Sequence, residues 1–472
     1  MIGRVSGCDV VNRVKGGVNM RAVRYVTEAL NHLSDEEIHQ IRETKLINQL
    51  KYCYRNSEFY QKKFKEVGIV PQDIRSIEDY LKLPVLMDKD QERLSQQESM
   101  ERFGHPFGMH LCASPDDIAL TATTSGTTGI PTFTYTLAQQ DLDKVSDGVA
   151  SMLNYARISQ GDRMLFSHAL GVYATSAVLP GIRQAGILPI DVDVRAGTEA
   201  ILQYAKMTNP QAAMMTPSLA EHLIGKSLEL HQQPVGDLNL SALFTVGEIA
   251  ISIPEVKQKI EEAYGCRVYD WIGPIGGTIA YSCDSDDYHG MHCVTPDYDL
   301  YPYDLVDPAT QQPIDIVNGA IGEVIYTSLD RLAAPMLRMA SGDIVQVFTT
   351  PCPGCGFKGM RVKVVGRSDD MLIVKGVNVY PAAIKQVITT YAPDVTGEMR
   401  IVLDQEPPLV KPPLKVKLEF GPDMDRNALP QLEARIKEQL SRNVRVNPEI
   451  IWCPPGTLEK SMAKTPVFEK DY

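Results

Sequence analysis

The sequence of 472 residues has no long apolar run, no cluster of basic residues and no dense set of cysteines. Without about twenty consecutive apolar residues, no membrane-spanning helix is expected. Lysine and arginine occur at most as pairs such as Lys62-Lys63, and the net charge is −12. Phosphate backbones and anionic lipid surfaces are held by clustered basic side chains. These absences argue against a nucleic-acid partner and against a membrane partner.

The nine cysteines are spread along the chain rather than arranged as a disulfide framework. The first residues, MIGRVSGCDVVNRVKGGVNM, lack the apolar segment of a secretory signal and show no helical or strand periodicity. We therefore predict a disordered lead over residues 1–19 and a reduced compartment. The cytoplasm is the expected localisation, and a homodimer is one state that the sequence allows.

From about residue 137, strand-like segments alternate with helical ones, beginning with RMLFSHAL (163–170) and ending with CRVYDWIG (266–273). This alternation predicts βαβ units and a parallel sheet with helices on both faces. Turn residues after residue 300 predict a meander, which belongs to the large domain. The predicted fold class is α/β: a large N-terminal α/β domain (20–366) with a parallel sheet plus a meander or barrel part, followed by a small C-terminal α+β domain (367–472).

A loop rich in serine, threonine and glycine, TTSGTTGIPTFTY (123–135), has the composition of a phosphate-binding loop. Its hydroxyls and backbone N–H groups can cradle phosphate without the lysine of a Walker A loop. Taken alone, such a loop can equally be a plain turn. The candidate nucleotide-binding residues in it are Ser125, Gly126, Thr127, Thr128 and Gly129.

Further motifs follow this loop in a fixed order: TPSL (216–219), VGE (246–248), SGD (341–343), GRSDDMLIVKGVNVYP (366–381) and GTLEKSMAK (456–464). The ordered set resembles the adenylate-forming superfamily, and most closely its phenylacetate–CoA ligase branch. The resemblance runs from about Leu33 to the C-terminus. It implies that a carboxylic acid, by default an aryl or arylacetic acid, attacks ATP to give an acyl adenylate, and that coenzyme A then displaces AMP.

The resemblance also implies roles for single residues. Gly247 and Glu248 would lie along the adenine, and Asp343 would hold the ribose hydroxyls with Arg367 nearby. Asp369 would be the hinge about which a mobile small domain swings between the half-reactions. Lys464 would stabilise charge that develops between the carboxylate and the α-phosphate, and is the candidate catalytic residue.

Two positions depart from the family pattern. Ile130 replaces the lysine of the loop S-G-T-T-G-K-P-T, and the missing contact would cost roughly 1.5–3 kcal/mol if nothing replaces it. The motif Y-G-x-S/T-E aligns with Tyr269 to Gly273, so Gly273 replaces the glutamate that normally meets Mg²⁺. Asp270 could supply the missing carboxylate, or it could cap or turn the loop.

A separate set of residues has the spacing of a metal site. Cys283 and His292 in CDSDDYHGMHC precede Cys352 and Cys355 in CPGCG. Three thiolates and one imidazole suit tetrahedral Zn²⁺, and a closed site of four ligands is structural. His289 and Cys293 are competing ligands, and scattered core cysteines are the alternative.

The acid pocket is expected where the strand ends meet. The candidate residues are His168, Tyr173, Trp271, Ile272 and Pro274. A lone histidine is often structural, but in the pocket His168 would favour an acid with a polar group. ATP, Mg²⁺ and coenzyme A are the expected cofactors. Two other functions stay open: adenylation with an acceptor other than coenzyme A, and a binding protein that has lost adenylation.

Overall fold

The computed structural model describes residues 21–124, 132–170, 175–273, 277–375, 377–458 and 466–472. No helix within these ranges is long and apolar enough to cross a bilayer. The helices are α1 (Asp35–Asn56), α2 (Glu58–Glu66), α3 (Ile77–Leu81), α4 (Lys89–Phe103), α5 (Gln139–Tyr155), α6 (Val178–Gln184), α7 (Thr198–Thr208), α8 (Pro217–His231), α9 (Pro254–Tyr264), α10 (Pro381–Thr389) and α11 (Leu429–Asn443).

The strands follow the predicted alternation with these helices. They are β1 (Ile118–Thr124), β2 (Thr132–Ala138), β3 (Arg163–Phe166), β4 (Leu188–Asp191), β5 (Ala212–Met215), β6 (Ala242–Thr245), β7 (Arg267–Ile272), β8 (Ala280–Ser282), β9 (Met291–Cys293), β10 (Leu305–Val306), β11 (Ile321–Tyr326), β12 (Met339–Phe348), β13 (Arg361–Arg367), β14 (Leu372–Val374), β15 (Val377–Val379), β16 (Val395–Leu403), β17 (Leu409–Val410), β18 (Lys415–Phe420), β19 (Glu449–Cys453) and β20 (Phe468–Lys470).

Eleven of these strands form one sheet in the order β10-β11-β12-β13-β9-β8-β7-β6-β5-β3-β4. The strands from β7 to β4 are parallel, and those from β8 to β10 are antiparallel. The predicted meander therefore continues the parallel sheet, and the described strands form no separate closed barrel. The α/β fold class is confirmed.

Successive residues of the parallel strands enter cores on opposite faces of the sheet. Phe166 and Phe244 belong to the core on the side of α5 and α6, whereas their neighbours Leu165 and Leu243 belong to the core beneath α7, α8 and α9. Side chains of a strand alternate in direction, so a strand covered on both faces is apolar throughout. This is why the predicted strands read as continuous apolar runs.

The C-terminal part has its own core. β13 ends at Arg367 in the large sheet, and β14 begins at Leu372 in a three-stranded sheet with β15 and β17. A four-stranded sheet in the order β19-β18-β16-β20 packs with α10 and α11 around apolar residues between positions 372 and 450. The chain that joins the two parts is therefore short and lies beside the large sheet.

The N-terminal helix α1 begins with a capping box. The hydroxyl of Ser34 accepts the backbone N–H of Glu37 at 3.3 Å, and the Glu37 carboxylate accepts the backbone N–H of Ser34 at 2.8 Å. Such reciprocal bonds satisfy N–H groups that the first helical turn leaves free. Leu46 and Leu50 of α1 are fully buried against α2 and the region before β12.

Candidate functional site

A cavity of about 550 Å³ lies at the carboxyl ends of the parallel strands and is closed on one side by the C-terminal part. This is the edge of a parallel sheet where ligands bind. The predicted site residues that line it are His168, Gly247, Glu248, Asp270, Trp271, Ile272, Asp343, Arg367 and Asp369. The predicted residues Ser125, Gly126, Thr127, Thr128, Gly129, Ile130, Tyr173, Pro274 and Lys464 lie outside the described residues.

The TPSL and VGE motifs meet at the carboxyl ends of β5 and β6. Ser218, in the first turn of α8, donates its backbone N–H at 3.0 Å and its hydroxyl at 2.5 Å to the Glu248 carboxylate. Thr216 caps the same helix by accepting the backbone N–H of Leu219 at 3.2 Å. The helix start therefore fixes Glu248 beside the cavity, since a carboxylate is favoured near a helix N-terminus.

Arg367 joins the predicted ribose residue to the predicted hinge. Asp343 of β12 lies opposite Arg367 of β13 in the antiparallel register, and the guanidinium donates to its carboxylate. The same guanidinium donates to Asp369 through Nε at 2.8 Å and Nη2 at 3.0 Å. Burial alone would lower the pKa of Arg367, but the two carboxylates outweigh it and raise that pKa above its ordinary value.

Gly342 makes this arrangement possible. Its φ is +81°, a conformation that side chains disfavour, and a Cβ there would lie 2.8 Å from Arg367 Nη2. The S-G-D motif therefore needs glycine at its centre for a reason that the structure shows. A side chain at this position would displace the guanidinium that bridges the two carboxylates.

Asp270 lies inside β7, so it neither caps nor turns a loop, and the expectation that it might do so is wrong. Its side chain is buried at the cavity wall, where the hydroxyl of Tyr288 donates to Oδ2 at 2.8 Å. Burial raises the pKa of Asp270 to about 7, although the hydrogen bond from Tyr288 opposes the shift. A carboxyl group thus faces the cavity without a basic partner among the described residues.

Gly273 also lines the cavity, at the position of the family glutamate. A Cβ on Gly273 would lie 3.1 Å from Ile279 Cδ1 and 3.2 Å from Trp271 Cζ3. These contacts are tighter than ordinary van der Waals packing, so the surroundings have adapted to glycine. The atoms that a side chain on Gly273 would meet first are carbon atoms of Ile279 and Trp271.

His168 follows β3 and is buried at the cavity, with its ring 5.0 Å from that of Phe166. Its Nε2 is buried and has no hydrogen-bond partner among the described residues. Burial lowers the pKa of His168 to about 4, so the ring is neutral near pH 7. His168, Trp271 and Ile272 line the same cavity. They are three of the residues that we predicted for the acid pocket.

Four further basic residues that sequence reasoning missed line the cavity. They are Lys89 and Arg93 of α4 and Lys385 and Arg400 of the C-terminal part. Lys89 is half-buried, and burial followed by the charge of Arg367 lowers its pKa. No hydrogen bond or ion pair of Lys89 occurs within the described ranges. The segment MDKDQERL carries no motif that could have indicated this position.

The predicted metal ligands come together as a compact cluster. The donor atoms of Cys283, His292, Cys352 and Cys355 all lie within 4.8 Å of one another, and the four residues are buried. Cys283 Sγ is 4.0 Å from Cys352 Sγ, and Cys355 Sγ is 3.3 Å from His292 Nε2. Tetrahedral Zn²⁺ would need separations of about 3.5–3.8 Å between such donor atoms. The competing ligands His289 and Cys293 are not part of the cluster.

The orientation of His292 agrees with a ligand role. Its Nδ1 donates to the backbone oxygen of Tyr281 at 3.0 Å, which leaves Nε2 facing the sulfur atoms. A hydrogen bond from the second ring nitrogen commonly fixes the tautomer of a metal-binding histidine. The donor set, its separations and this second contact all fit Zn²⁺.

Comparisons with known proteins agree with the motifs and the fold. Residues 376–470 match the AMP-binding enzyme C-terminal domain family. The chain is 27% identical to the phenylacetate–coenzyme A ligase of Thermus thermophilus over 92% of this chain and 96% of that protein. These similarities support the resemblance to the phenylacetate–CoA ligase branch of the adenylate-forming superfamily.

A solved member with this fold is 2-hydroxyisobutyryl-CoA ligase in the postadenylation state in complex with 2-HIB-AMP. It superposes with a TM-score of 0.80 at 25% identity, over 93% of this chain and 90% of that one. Against the same ligase in the thioesterification state with CoA, the TM-score is 0.64. The arrangement of this chain therefore resembles the postadenylation state more closely than the thioesterification state.

Proposed function

We propose that this protein is an AMP-forming acid–CoA ligase. It joins a carboxylic acid to the α-phosphate of ATP with release of pyrophosphate, and then transfers the acyl group from AMP to the thiol of coenzyme A. The observation that carries the proposal is the convergence of the VGE, SGD and GRSDD motifs on one cavity between the large sheet and the C-terminal part. These motifs are far apart in the sequence, and a shared ligand explains why they meet.

The nucleotide is held by residues from both sides of this cavity. Asp343 accepts the ribose hydroxyls through its carboxylate, which Arg367 orients. Gly247 follows β6 with a φ of +94° and leaves a flat backbone surface for the adenine. Glu248 is held in place by Ser218 and borders the same surface.

Lys89 supplies the positive charge that Ile130 does not. Its side chain lines the same cavity as Asp343, Arg367 and Asp369. The hydrogen bonds from Phe133 N–H to Gln96 and from Thr134 to Glu92 tie α4 to β2, the strand that follows the phosphate loop. A charge-assisted bond from Lys89 to phosphate contributes roughly 1.5–3 kcal/mol.

Magnesium does not fit a protein site at the position of the family glutamate. Gly273 offers no side-chain oxygen, and a Cβ there would already lie in tight contact with Ile279 and Trp271. Asp270 is already bonded to Tyr288. Magnesium therefore enters the proposal only as the counter-ion that the phosphates of ATP bring with them.

The catalytic lysine of the proposal is Lys464. Pro466, two residues further along the chain, lines the cavity, and Val467 bonds to Ile401 through its backbone oxygen at 2.9 Å. The ammonium group would stabilise the charge that develops as the carboxylate attacks the α-phosphate. Asp369 serves as the hinge, since it lies between the last strand of the large sheet and the first strand of the C-terminal part.

The acid occupies the end of the cavity near His168. Apolar side chains of Val178, Ile279 and Trp271 favour an aryl or arylacetic acid over a short charged one. The neutral ring of His168 adds one hydrogen-bonding position at this wall. An aryl acid with a polar substituent would satisfy its buried Nε2.

The cysteine–histidine cluster holds a structural zinc ion. Cys352 and Cys355 lie in the turn before β13, Cys283 follows β8, and His292 belongs to β9, so one ion ties three segments of the sheet. A closed set of four protein ligands leaves no position for a substrate. The zinc therefore stabilises the wall behind the cavity.

The complete reaction tests this proposal. AMP formation is measured with ATP and a panel of aryl, arylacetic, alkyl and hydroxy acids, with and without coenzyme A. Release of AMP that requires both one class of acid and coenzyme A supports the ligase. Acid-dependent pyrophosphate release without CoA-dependent AMP release would favour another acceptor, and no nucleotide turnover or binding would favour a protein that no longer adenylates.

A further inference from the structure

The side chain of Ile279 lies between two glycines at the wall of the cavity. Ile279 directly precedes β8, is almost fully buried and lines the cavity. A Cβ on Gly148 of α5 would overlap Ile279 Cγ1, and a Cβ on Gly273 would lie 3.1 Å from Ile279 Cδ1. Because side chains in a core are packed without spare space, these two glycines provide the room that Ile279 occupies. The side chain of Ile279 is therefore confined from two sides.

The backbone around Ile279 is held by hydrogen bonds. Its N–H donates to the hydroxyl of Thr295 at 3.1 Å, and its carbonyl oxygen accepts the backbone N–H of Val294 at 3.3 Å. The preceding residue, Thr278, is fully buried and donates both its backbone N–H, at 2.7 Å, and its hydroxyl to the buried carboxylate of Asp299. A buried polar group that loses its partner is costly, so this pair resists displacement.

We propose that Ile279, positioned by Asp299 through Thr278, sets the length of the acid that the cavity accepts. This inference rests on the proposed function, because it requires the acid to occupy the end of the cavity near His168. Ile279 belongs to the same apolar cluster as Trp271, which lines that cavity with it. A side chain that can neither turn aside nor retreat gives the pocket a fixed limit.

The expected limit appears in a series of acids that grow by one methylene: benzoic, phenylacetic, 3-phenylpropionic and 4-phenylbutyric acid. In the wild type, kcat/KM should fall by about tenfold or more from the best acid to the next longer one. Ile279→Ala removes three carbon atoms from the wall. It should raise the ratio of kcat/KM for the longer acid to that for the shorter acid by about tenfold or more. Ile279→Val should shift the ratio in the same direction by less.

Gly148→Ala should have the opposite effect, because its methyl group pushes Ile279 toward the cavity. We expect kcat/KM for the best acid to fall by about tenfold and the preference to move toward a shorter acid. In the double variant Gly148→Ala with Ile279→Ala, the added methyl group enters space that the smaller side chain leaves. The preference should then return toward that of the wild type, which shows that the two residues act through their contact.

The positioning role of Asp299 is tested at Thr278. Thr278→Val keeps the shape of the side chain but removes the hydroxyl that Asp299 accepts, so the ratio for longer acids should rise severalfold while the KM for ATP stays unchanged. Thr278→Ser keeps the hydroxyl and should retain the wild-type ratio. Thr327→Val is the matched control, because that threonine is equally buried and bonded but does not line the cavity.

The measurement is CoA-dependent AMP formation by the full-length protein, with pairs of acids competing in one reaction. Competition gives the ratio of the two kcat/KM values whatever fraction of the protein is folded, and thermal unfolding reports stability separately. Ile260→Ala, buried in α9 outside the cavity, and Gly225→Ala, at a helical position with free space for a Cβ, should leave every ratio unchanged.

An unchanged ratio in Ile279→Ala would overturn the inference. A defect of Gly148→Ala that Ile279→Ala does not relieve would also overturn it, and so would equal ratios in Thr278→Val and Thr278→Ser. In each of these cases the wild type still converts an acid, so the proposed function survives. Absence of turnover by the wild type with every acid would remove the proposed function and this inference with it.

Discussion

The cysteine–histidine cluster and the nucleotide cavity differ in how completely the sequence predicts them. Four ligands, chosen by residue type and spacing, come together with all donor atoms within 4.8 Å. The cavity collects residues from both sides of the sheet and from the C-terminal part, and it includes Lys89 and Tyr288, which no motif indicated. A metal site is specified by a few side chains, whereas a substrate cavity is specified by the whole fold.

The two sites also differ in what a substitution changes. The cluster is closed and serves the fold, so losing a ligand should destabilise the protein without a selective effect on substrate affinity. The cavity is open and serves substrates, so losing a lining residue should change affinity or rate in a protein that stays folded.

The largest effect is expected at the cluster. Cys352→Ala should reduce zinc from about one ion per chain to nearly none and lower the thermal midpoint by roughly 5–10 °C. The reason is that a site with three ligands no longer closes around the ion. Metal analysis together with thermal unfolding measures both changes.

Cys453→Ala is the matched control, because that buried cysteine lies outside the cluster and should leave the zinc content unchanged. If Cys352→Ala retained one tightly held zinc ion per chain, or if both variants lost stability equally, the cluster would not be the zinc site.

In the cavity, Asp343→Asn should raise the KM for ATP about 10- to 100-fold, with little change in the KM for the acid. The substitution removes a charge-assisted acceptor for the ribose hydroxyls, which is worth roughly 1.5–3 kcal/mol. Steady-state kinetics measure the two constants separately. Asp116→Asn, at an exposed turn, is the control. Equal changes in both KM values would argue against a role confined to ribose.

Lys89→Ala should raise the KM for ATP about tenfold, and the affinity for AMP should change far less, since AMP lacks the β- and γ-phosphates. Lys62→Ala on α2 removes an exposed lysine and serves as the control. An equal loss of affinity for ATP and AMP would show that Lys89 acts through the fold or through the hinge Asp369 and not through the terminal phosphates.

The smallest effect concerns Glu92, which is fully buried and accepts a hydrogen bond from Thr134 at 3.0 Å. Burial raises the pKa of Glu92 to about 7, despite the opposing hydrogen bond and the charge of Arg331. The folded state thus holds this proton up to about pH 7, whereas the unfolded chain releases it near pH 4.5. Its contribution to stability falls as the pH rises between these values and is constant above them.

Glu92→Gln should therefore flatten the pH dependence of the free energy of unfolding between about pH 5 and 7, relative to the wild type. Glu101→Gln on the exposed face of α4 should not. Denaturant unfolding at several pH values measures this, and parallel curves for the wild type and Glu92→Gln would contradict the prediction.

The fold was predictable because its signals are local and repeated. Strand and helix periods alternate along the chain, and the capping box of Ser34 and Glu37 is a local pattern at the start of α1. The continuation of the meander into the large sheet was not predictable, because strand order depends on long-range pairing such as that of β13 with β9. A short motif indicates whether a segment is a helix or a strand, but it does not indicate which strands pair with it in the sheet.

The candidate site was predictable where a motif carries its own geometry. Gly342 and Asp343 lie as the S-G-D motif indicates, next to Arg367. Asp270 lines the cavity, but its buried position inside β7 and its bond to Tyr288 depend on packing that one sequence does not show. The same holds for Lys89, whose relevance appears only when α4 is seen beside the cavity.

The central claim is that the cavity adenylates a carboxylic acid despite Ile130 and Gly273. The most direct measurement is carboxylate-dependent exchange of labelled pyrophosphate into ATP across the acid panel, with Lys464→Ala as the control. We predict exchange with one class of acid and a decrease of about 10²–10³-fold in the variant. Absence of exchange with every acid in a wild-type protein that binds ATP, or equal exchange in Lys464→Ala, would contradict it.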